Sequence, residues 1–191
     1  YQAVVLSNNG GINLYIGNCP EATGRWVYLP WFEVRNDTID EYRVDQKAGK
    51  EAIDFIWAHP WHALELVPKK LSGLYYHGDG ISWTVKGIPR KAEMSRSVLR
   101  VFDQVNAIYE ILVYLLFVVS LFFGYWKRLR FGKGHGWPLL GIVVILYFTG
   151  IYLVTYGMGR YHFPIIPWMI MYSAALLSSL FAKVADRYSS P

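Results

Sequence analysis

The sequence holds a single cysteine, Cys19, which excludes an intramolecular disulfide. Compartment stays open, because many extracytoplasmic bacterial domains have no disulfide either. No internal repeat or low-complexity tract occurs, so the 191 residues suit one ordinary domain, or a small polar domain with a few membrane spans. Acidic charge is scarce after residue 107, where only Glu110 and Asp186 occur. A cationic surface for nucleic acid is missing too: residues 1–107 carry 12 Lys/Arg against 12 Asp/Glu, and the whole excess of +5 lies beyond them. Nothing resembling a signal peptide precedes the polar half, and the first residue is Tyr1, which reads as a fragment or processed product.

What the sequence does have is apolar surface. Hydrophobic residues make up 53% of it and aromatics 17%, with a mean hydropathy of +0.20. Three apolar segments, 108–126, 137–156 and 163–182, approach the ~20 residues that a helix needs to cross a ~30 Å hydrocarbon core. Three buried helices of a large soluble protein would look similar, but such a succession leaves no amphipathic partner to cover them. The connection 127–136 carries Lys127, Arg128, Arg130 and Lys133 and no acid, whereas 157–162 carries only Arg160. The positive-inside rule therefore predicts a cytoplasmic 127–136 and a cytoplasmic tail 183–191, with 1–107 and the turn 157–162 on the outer face. Trp126, Trp137, Tyr156 and Tyr161 stand at segment ends, as an aromatic belt requires. The expected fold is a mainly α membrane protein, a small helical domain with minor β outside the cytoplasm followed by three transmembrane helices.

Within the polar half, the Asn-Gly and Gly-Gly pairs of residues 8–18 predict tight turns between short apolar runs. Residues 27–32 read as a short strand. Residues 39–58 are helical in pattern, with Ala48, Ala52, Phe55 and Ile56 at helical spacing. His59-Pro60 breaks that helix, and Pro60 suits the first turn of another reaching about Tyr76, bent at Pro68, with Leu64, Val67, Leu71 and Leu74 on its apolar stripe. Gly78-Asp79-Gly80 is a turn, and 92–107 reads as an amphipathic helix feeding the first span.

Few residues announce chemistry. His59 and His62 have a spacing that puts two imidazoles on one helix face, but Pro60 stands between them and no further ligand completes a metal site. Packing at a membrane interface beside Trp57 and Trp61 is the alternative. Asn36-Asp37-Thr38 matches the N-glycosylation sequon, which matters only in a eukaryotic secretory setting. Glu33, Asp37, Asp40, Glu41 and Asp45 show no acid–base pairing and read as a solvated face. The turn Arg160-Tyr161-His162 sets a cation, a phenol and an imidazole at the outer mouth of two helices. Arginine's fork suits a phosphate or carboxylate; an anchor for lipid headgroups is the competing use.

Three stretches together resemble one family. Asn8-Asn9-Gly10-Gly11-Ile12-Asn13-Leu14-Tyr15-Ile16-Gly17-Asn18-Cys19-Pro20-Glu21-Ala22-Thr23-Gly24 is similar to the "NGG-NL-GN-P-ATG" segment of polyprenyl-phosphate-sugar glycosyltransferases. These are the GT-C enzymes of the protein-mannosyltransferase and aminoarabinose-transferase group (family 39 type). Glu51-Ala52-Ile53-Asp54-Phe55-Ile56-Trp57-Ala58-His59-Pro60, followed by Lys69-Lys70-Leu71, resembles that group's "A-x-x-F-I-x-x-H-P…K-L" segment. Arg160-Tyr161-His162-Phe163-Pro164-Ile165-Ile166-Pro167 resembles its "RY-x-x-P-x-x-P" turn before a late span.

The resemblance implies the C-terminal part of a multi-pass enzyme in a bacterial inner membrane. Such an enzyme takes a sugar from a polyprenyl-phosphate carrier on the outer face and passes it to a protein, lipid or glycan. The family's catalytic aspartate lies in a first outer loop upstream of this chain, so the chain by itself is expected to be inactive, with the missing spans as its partner. Arg160, with Tyr161 and His162, is the candidate for the departing lipid phosphate. Asn9, Gly10, Gly11, Asn13 and Asn18 would shape a sugar or acceptor cavity, or simply cap the membrane domain. No cofactor is identified, and nothing supports a divalent metal. The rival readings are a non-catalytic membrane-anchored binding or assembly module and a piece of a transporter. The latter is disfavoured because the central stretches of the spans contain no ionisable group.

Overall fold

The computed structural model describes residues 9–29, 41–75, 96–124 and 139–189. Residues 30–32 of the expected strand, the 36–38 sequon, Glu33, Asp37, Asp40, the 78–80 turn and the basic connection 127–136 lie outside them. The described residues are mainly helical: α1 (Gly10–Asn18), α2 (Glu41–Ala58), α3 (Pro60–Leu74), α4 (Arg96–Phe122), α5 (Leu140–Val154), a 3-10 turn (Gly159–His162) and α6 (Ile166–Ser189). No strand occurs among them, and 27–29 run as irregular chain. Two compact units form, one from residues 1–76 with 149–161 and the other from 77–148 with 162–191. Residues 1–76 of the polar half thus share a unit with the C-terminal part of α5 and most of the connection after it, while 77–107 belong to the other unit.

In the first unit the expected turns at 8–18 are replaced by α1. The glycines that suggest turns act instead as notches for packing. A Cβ on Gly11 would run into the backbone carbonyl of Asp45 in α2, and one on Gly17 into the carbonyl of Thr155. With the side chains absent, backbones touch and the short helix is held from outside. Its N-terminus takes no side-chain cap from Asn9. The Asp45 carboxylate caps it from α2, accepting from the Ile12 amide at 2.9 Å, which satisfies an orphan N–H and sets a negative charge at the positive end of the helix.

α2 buries Ala48 and Ala52 as expected. It ends at His59, and Pro60 opens α3 at a position where a missing N–H costs nothing. The apolar stripe of α3 differs from the expected one. The buried residues are Leu66, Lys70, Gly73 and Leu74, while Leu64 is exposed. Cys19, Ala22 and Leu66 form a small core with Tyr15 and Leu29 against it. Gly24, at φ +83°, accepts from the Gly157 amide at 2.9 Å. Gly157 in turn lies on the carbonyl of Lys70, where no side chain would fit.

In the second unit α4 runs unbroken through both the expected amphipathic stretch and the expected first span. It stops at Gly124, whose φ of +72° is the left-handed geometry that ends helices. Val98–Phe122 and Ile166–Tyr188 are long and apolar enough to cross a membrane, whereas α5 is apolar but only 15 residues long. α4 and α6 pack through Phe117 edge-on to Tyr172 at 5.6 Å. Ser173 donates to the Val113 carbonyl at 3.2 Å, the small hydroxyl allowing the close approach that apolar helices use for association. The Tyr172 hydroxyl accepts from the Ile142 amide at 3.1 Å, a contact that the bare Cα of Gly141 admits.

Gly17→Ala and Gly157→Ala are expected to destabilise the protein by roughly 1–3 kcal/mol each through overpacking. Gly10→Ala, with nothing within 4 Å of the added methyl, should change stability by less than about 0.5 kcal/mol. Thermal unfolding in detergent checks this, and equal midpoints for all three variants would refute the packing role.

Candidate functional site

Tyr152 lies in the last turn of α5, and Tyr156 stands two residues past the end of that helix. The chain then turns through the 3-10 segment, fixed by the Tyr161 amide on the Met158 carbonyl at 2.9 Å and the Ile165 amide on the His162 carbonyl at 2.8 Å. The Tyr161 ring stacks on Tyr152 with centroids 4.6 Å apart and 2° between planes. Its hydroxyl shares a hydrogen bond with that of Tyr156 at 3.1 Å. The Arg160 guanidinium lies over the Tyr161 ring, 5.3 Å from its centroid, while the residue stays exposed. The cation is steadied on an aromatic face.

His162 goes elsewhere. It is buried, with Nε2 3.5 Å from Oε1 of Glu110 and both side chains 7% exposed. Asn106, one turn earlier on α4, donates to the same oxygen at 2.7 Å. Arg160 and Tyr161 belong to the first unit and His162 to the second. The sequence signal for the Glu110 contact was its isolation: one acid in a long apolar helix needs a partner.

The candidate cavity residues also separate. Asn9 accepts from the Asn13 amide at 3.0 Å, Gly10 is exposed, and Gly11 lies on α2. Asn18 is buried and fully engaged. Its amide donates to the carbonyls of Leu14 and Val154, both at 2.8 Å, and its oxygen accepts from Lys70 Nζ at 2.8 Å. His59 and His62 both pack on Phe55, one stacked at 4.4 Å and one edge-on at 5.6 Å. Among the described residues no group of three or more His, Cys, Asp or Glu could hold an ion.

Lys70 is the residue that sequence reasoning missed, having registered it only as part of a motif. It is 1% exposed. Beyond Asn18, Nζ donates to the carbonyl of Leu153 at 3.0 Å and lies 3.5 Å from that of Val154. These carbonyls end α5, where helix geometry leaves acceptors unpaired and the dipole is negative. Three donors meet three acceptors. Tyr75, five residues on, adds a hydroxyl contact to Thr149 at 2.8 Å. Burial nevertheless pushes the Lys70 pKa down to about 8, and burial pushes the Cys19 thiol up to about 11.

Comparison with protein-family models, with curated proteins and with solved structures returns no match. What the site does is therefore argued from its residues.

The pKa shifts set a pH dependence. Between the folded value of Lys70, about 8, and the unfolded value near 10.4, only the unfolded chain holds the proton, so stability rises with pH. Cys19 acts in reverse above about pH 9, because the folded chain then keeps the proton that the unfolded chain releases. The unfolding midpoint should climb from pH 8 to 9 and then level off. Cys19→Ser should extend the climb, and Lys70→Met should abolish it. A midpoint flat across pH 8–9 in the native sequence would contradict the assignment.

Proposed function

We propose that this chain is the C-terminal part of an integral-membrane glycosyltransferase of the GT-C class, which moves a sugar from a polyprenyl-phosphate carrier to a protein, lipid or glycan acceptor. In this reading α4, α5 and α6 are three spans of a multi-pass protein of the bacterial inner membrane. Residues 1–107 and the Arg160 turn lie outside the cytoplasm, and the catalytic aspartate comes from spans upstream. Two helices with the length and apolarity to cross a bilayer support the membrane setting. The ordered resemblance of the three motifs supports the class. The observation that carries the site is Arg160: an exposed residue whose guanidinium is steadied on the Tyr152–Tyr161 stack, in the same unit as residues 1–76.

The chemistry follows from charge. Breaking the bond between sugar and phosphate leaves a polyprenyl phosphate with growing negative charge. A cation that binds it more strongly in the transition state than in the ground state lowers the barrier. Arginine's planar fork grips two phosphate oxygens at once, and Tyr161 beneath it fixes its direction. His162, turned to Glu110, keeps the shape of the turn.

In the intact enzyme, Arg160→Ala is expected to lower turnover about 100-fold or more, the scale of losing one charge-stabilising group, while membrane insertion is unchanged. Arg160→Lys should recover part of it. Wild-type turnover in Arg160→Ala would remove this residue from the mechanism. Glu110→Leu should leave turnover chemistry intact but cost roughly 1–3 kcal/mol of stability, because it removes the acceptor of Asn106 and the buried neighbour of His162, a loss readable by thermal unfolding in detergent.

A further inference from the structure

The corner between α2 and α3 turns tryptophan outward. Trp57 is 82% exposed and Trp61 76%, with Ile53 at 47% and Leu64 at 58% extending the apolar surface along each helix. Ile53 and Trp57 are four apart on α2, and Trp61 and Leu64 three apart on α3, so each helix presents one stripe. The corner is rigid. Pro60 fixes its backbone, the His59 amide bonds to the Phe55 carbonyl at 2.8 Å, and both imidazoles pack on the Phe55 ring. Those three rings take up the contacts within the corner, and the indoles point away.

The length of α5 indicates what covers them. α5 is bounded by the non-helical residues 139 and 155. Its 15 residues span roughly 22 Å, about 8 Å less than a bilayer's hydrocarbon core. Around a span this short the bilayer thins, and the elements at its ends come close to the lipid interface. At the C-terminal end that element is α3, fastened to the Leu153 carbonyl by Lys70. Indole, with an apolar body and one N–H, is the side chain that this interfacial layer favours. Lys50 and Lys69 are exposed on the same two helices, and exposed Asp54 and Glu65 balance them. Neutral zwitterionic headgroups therefore match the corner, and anionic lipid is not required.

We propose that the α2–α3 corner is a membrane-interface anchor, with Trp57 and Trp61 seated among the headgroups and upper acyl chains of the leaflet at the C-terminal end of α5. The inference rests on the reading of α5 as a span. It deepens the proposed function, because an anchor in the unit that holds Arg160 sets the height of that guanidinium above the acyl chains.

Nitroxide collision measurements on the intact protein in phosphatidylcholine bilayers test it. One label goes on Ala58→Cys, between the two indoles. A second goes on Thr23→Cys, in an exposed loop of the same unit, and a third on Leu146→Cys, midway along α5. Cys19, buried and poorly ionised, does not compete for reagent. At Ala58 collisions with oxygen should exceed those with an aqueous nickel chelate several-fold, with the reverse at Thr23. Trp57→Ala with Trp61→Ala should return Ala58 to the pattern of Thr23. Chelate-dominated collisions at Ala58, or few collisions with either agent as under a protein partner, would overturn the anchor. If Leu146 is shielded from the chelate in the same experiment, the spanning reading stands while the anchor falls. A chelate-accessible Leu146 fails the spanning reading itself.

Discussion

The ammonium of Lys70 closes the carbonyl end of α5, and the first unit is organised around that contact. An unpaired charge at 1% exposure would be prohibitive, so every donor has to find an acceptor. Asn18 supplies one and the helix end supplies the others. To bring them together, three backbones must meet almost without intervening side chains. Gly17 meets Thr155, Gly157 meets Lys70, and Gly73 lies beside Gly157. α1 is a consequence of this arrangement as much as a cause: nine residues with two opening glycines make a poor isolated helix. It persists because Asp45 caps one end and Asn18 is tied down at the other.

The same contact determines where the Arg160 turn begins. Val154 is the last residue of α5, and six residues later Arg160 lies on an aromatic stack rooted in the last turns of that helix. Fixing the helix end fixes the platform, which the proposed charge stabilisation of a departing phosphate would require. The second unit solves a different problem. Its two long apolar helices pack through serine and tyrosine, and the turn before α6 adds a buried Glu110–His162 contact.

Legibility from the sequence followed the range of the interactions. α2, α3 and their break at His59-Pro60 were readable because spacing and a proline are local signals. The long apolar helices were readable from run length. α1 was not, because Asn-Gly and Gly-Gly pairs have the same local preference whether they bend a turn or admit a neighbouring backbone. The buried face of α3 was misjudged for a related reason. A rule that sends lysine to solvent rotates the helix toward Leu64 and Leu71, and only the distant acceptors on Asn18 and Leu153 make Lys70 an inside residue. Of the candidate site, Arg160 and Tyr161 were legible as a motif. The buried destination of His162 depended on a residue 52 positions earlier, to which no local pattern refers.

The account turns on whether Asn18 and Lys70 act as one unit at the end of α5. A double-mutant cycle with Asn18→Ala and Lys70→Met, measured by unfolding of the full chain in detergent, isolates that term from their separate packing. Residues sharing a buried network should show a coupling of about 1–3 kcal/mol. Additivity within about 0.5 kcal/mol would contradict it and leave the clamp as two unrelated contacts.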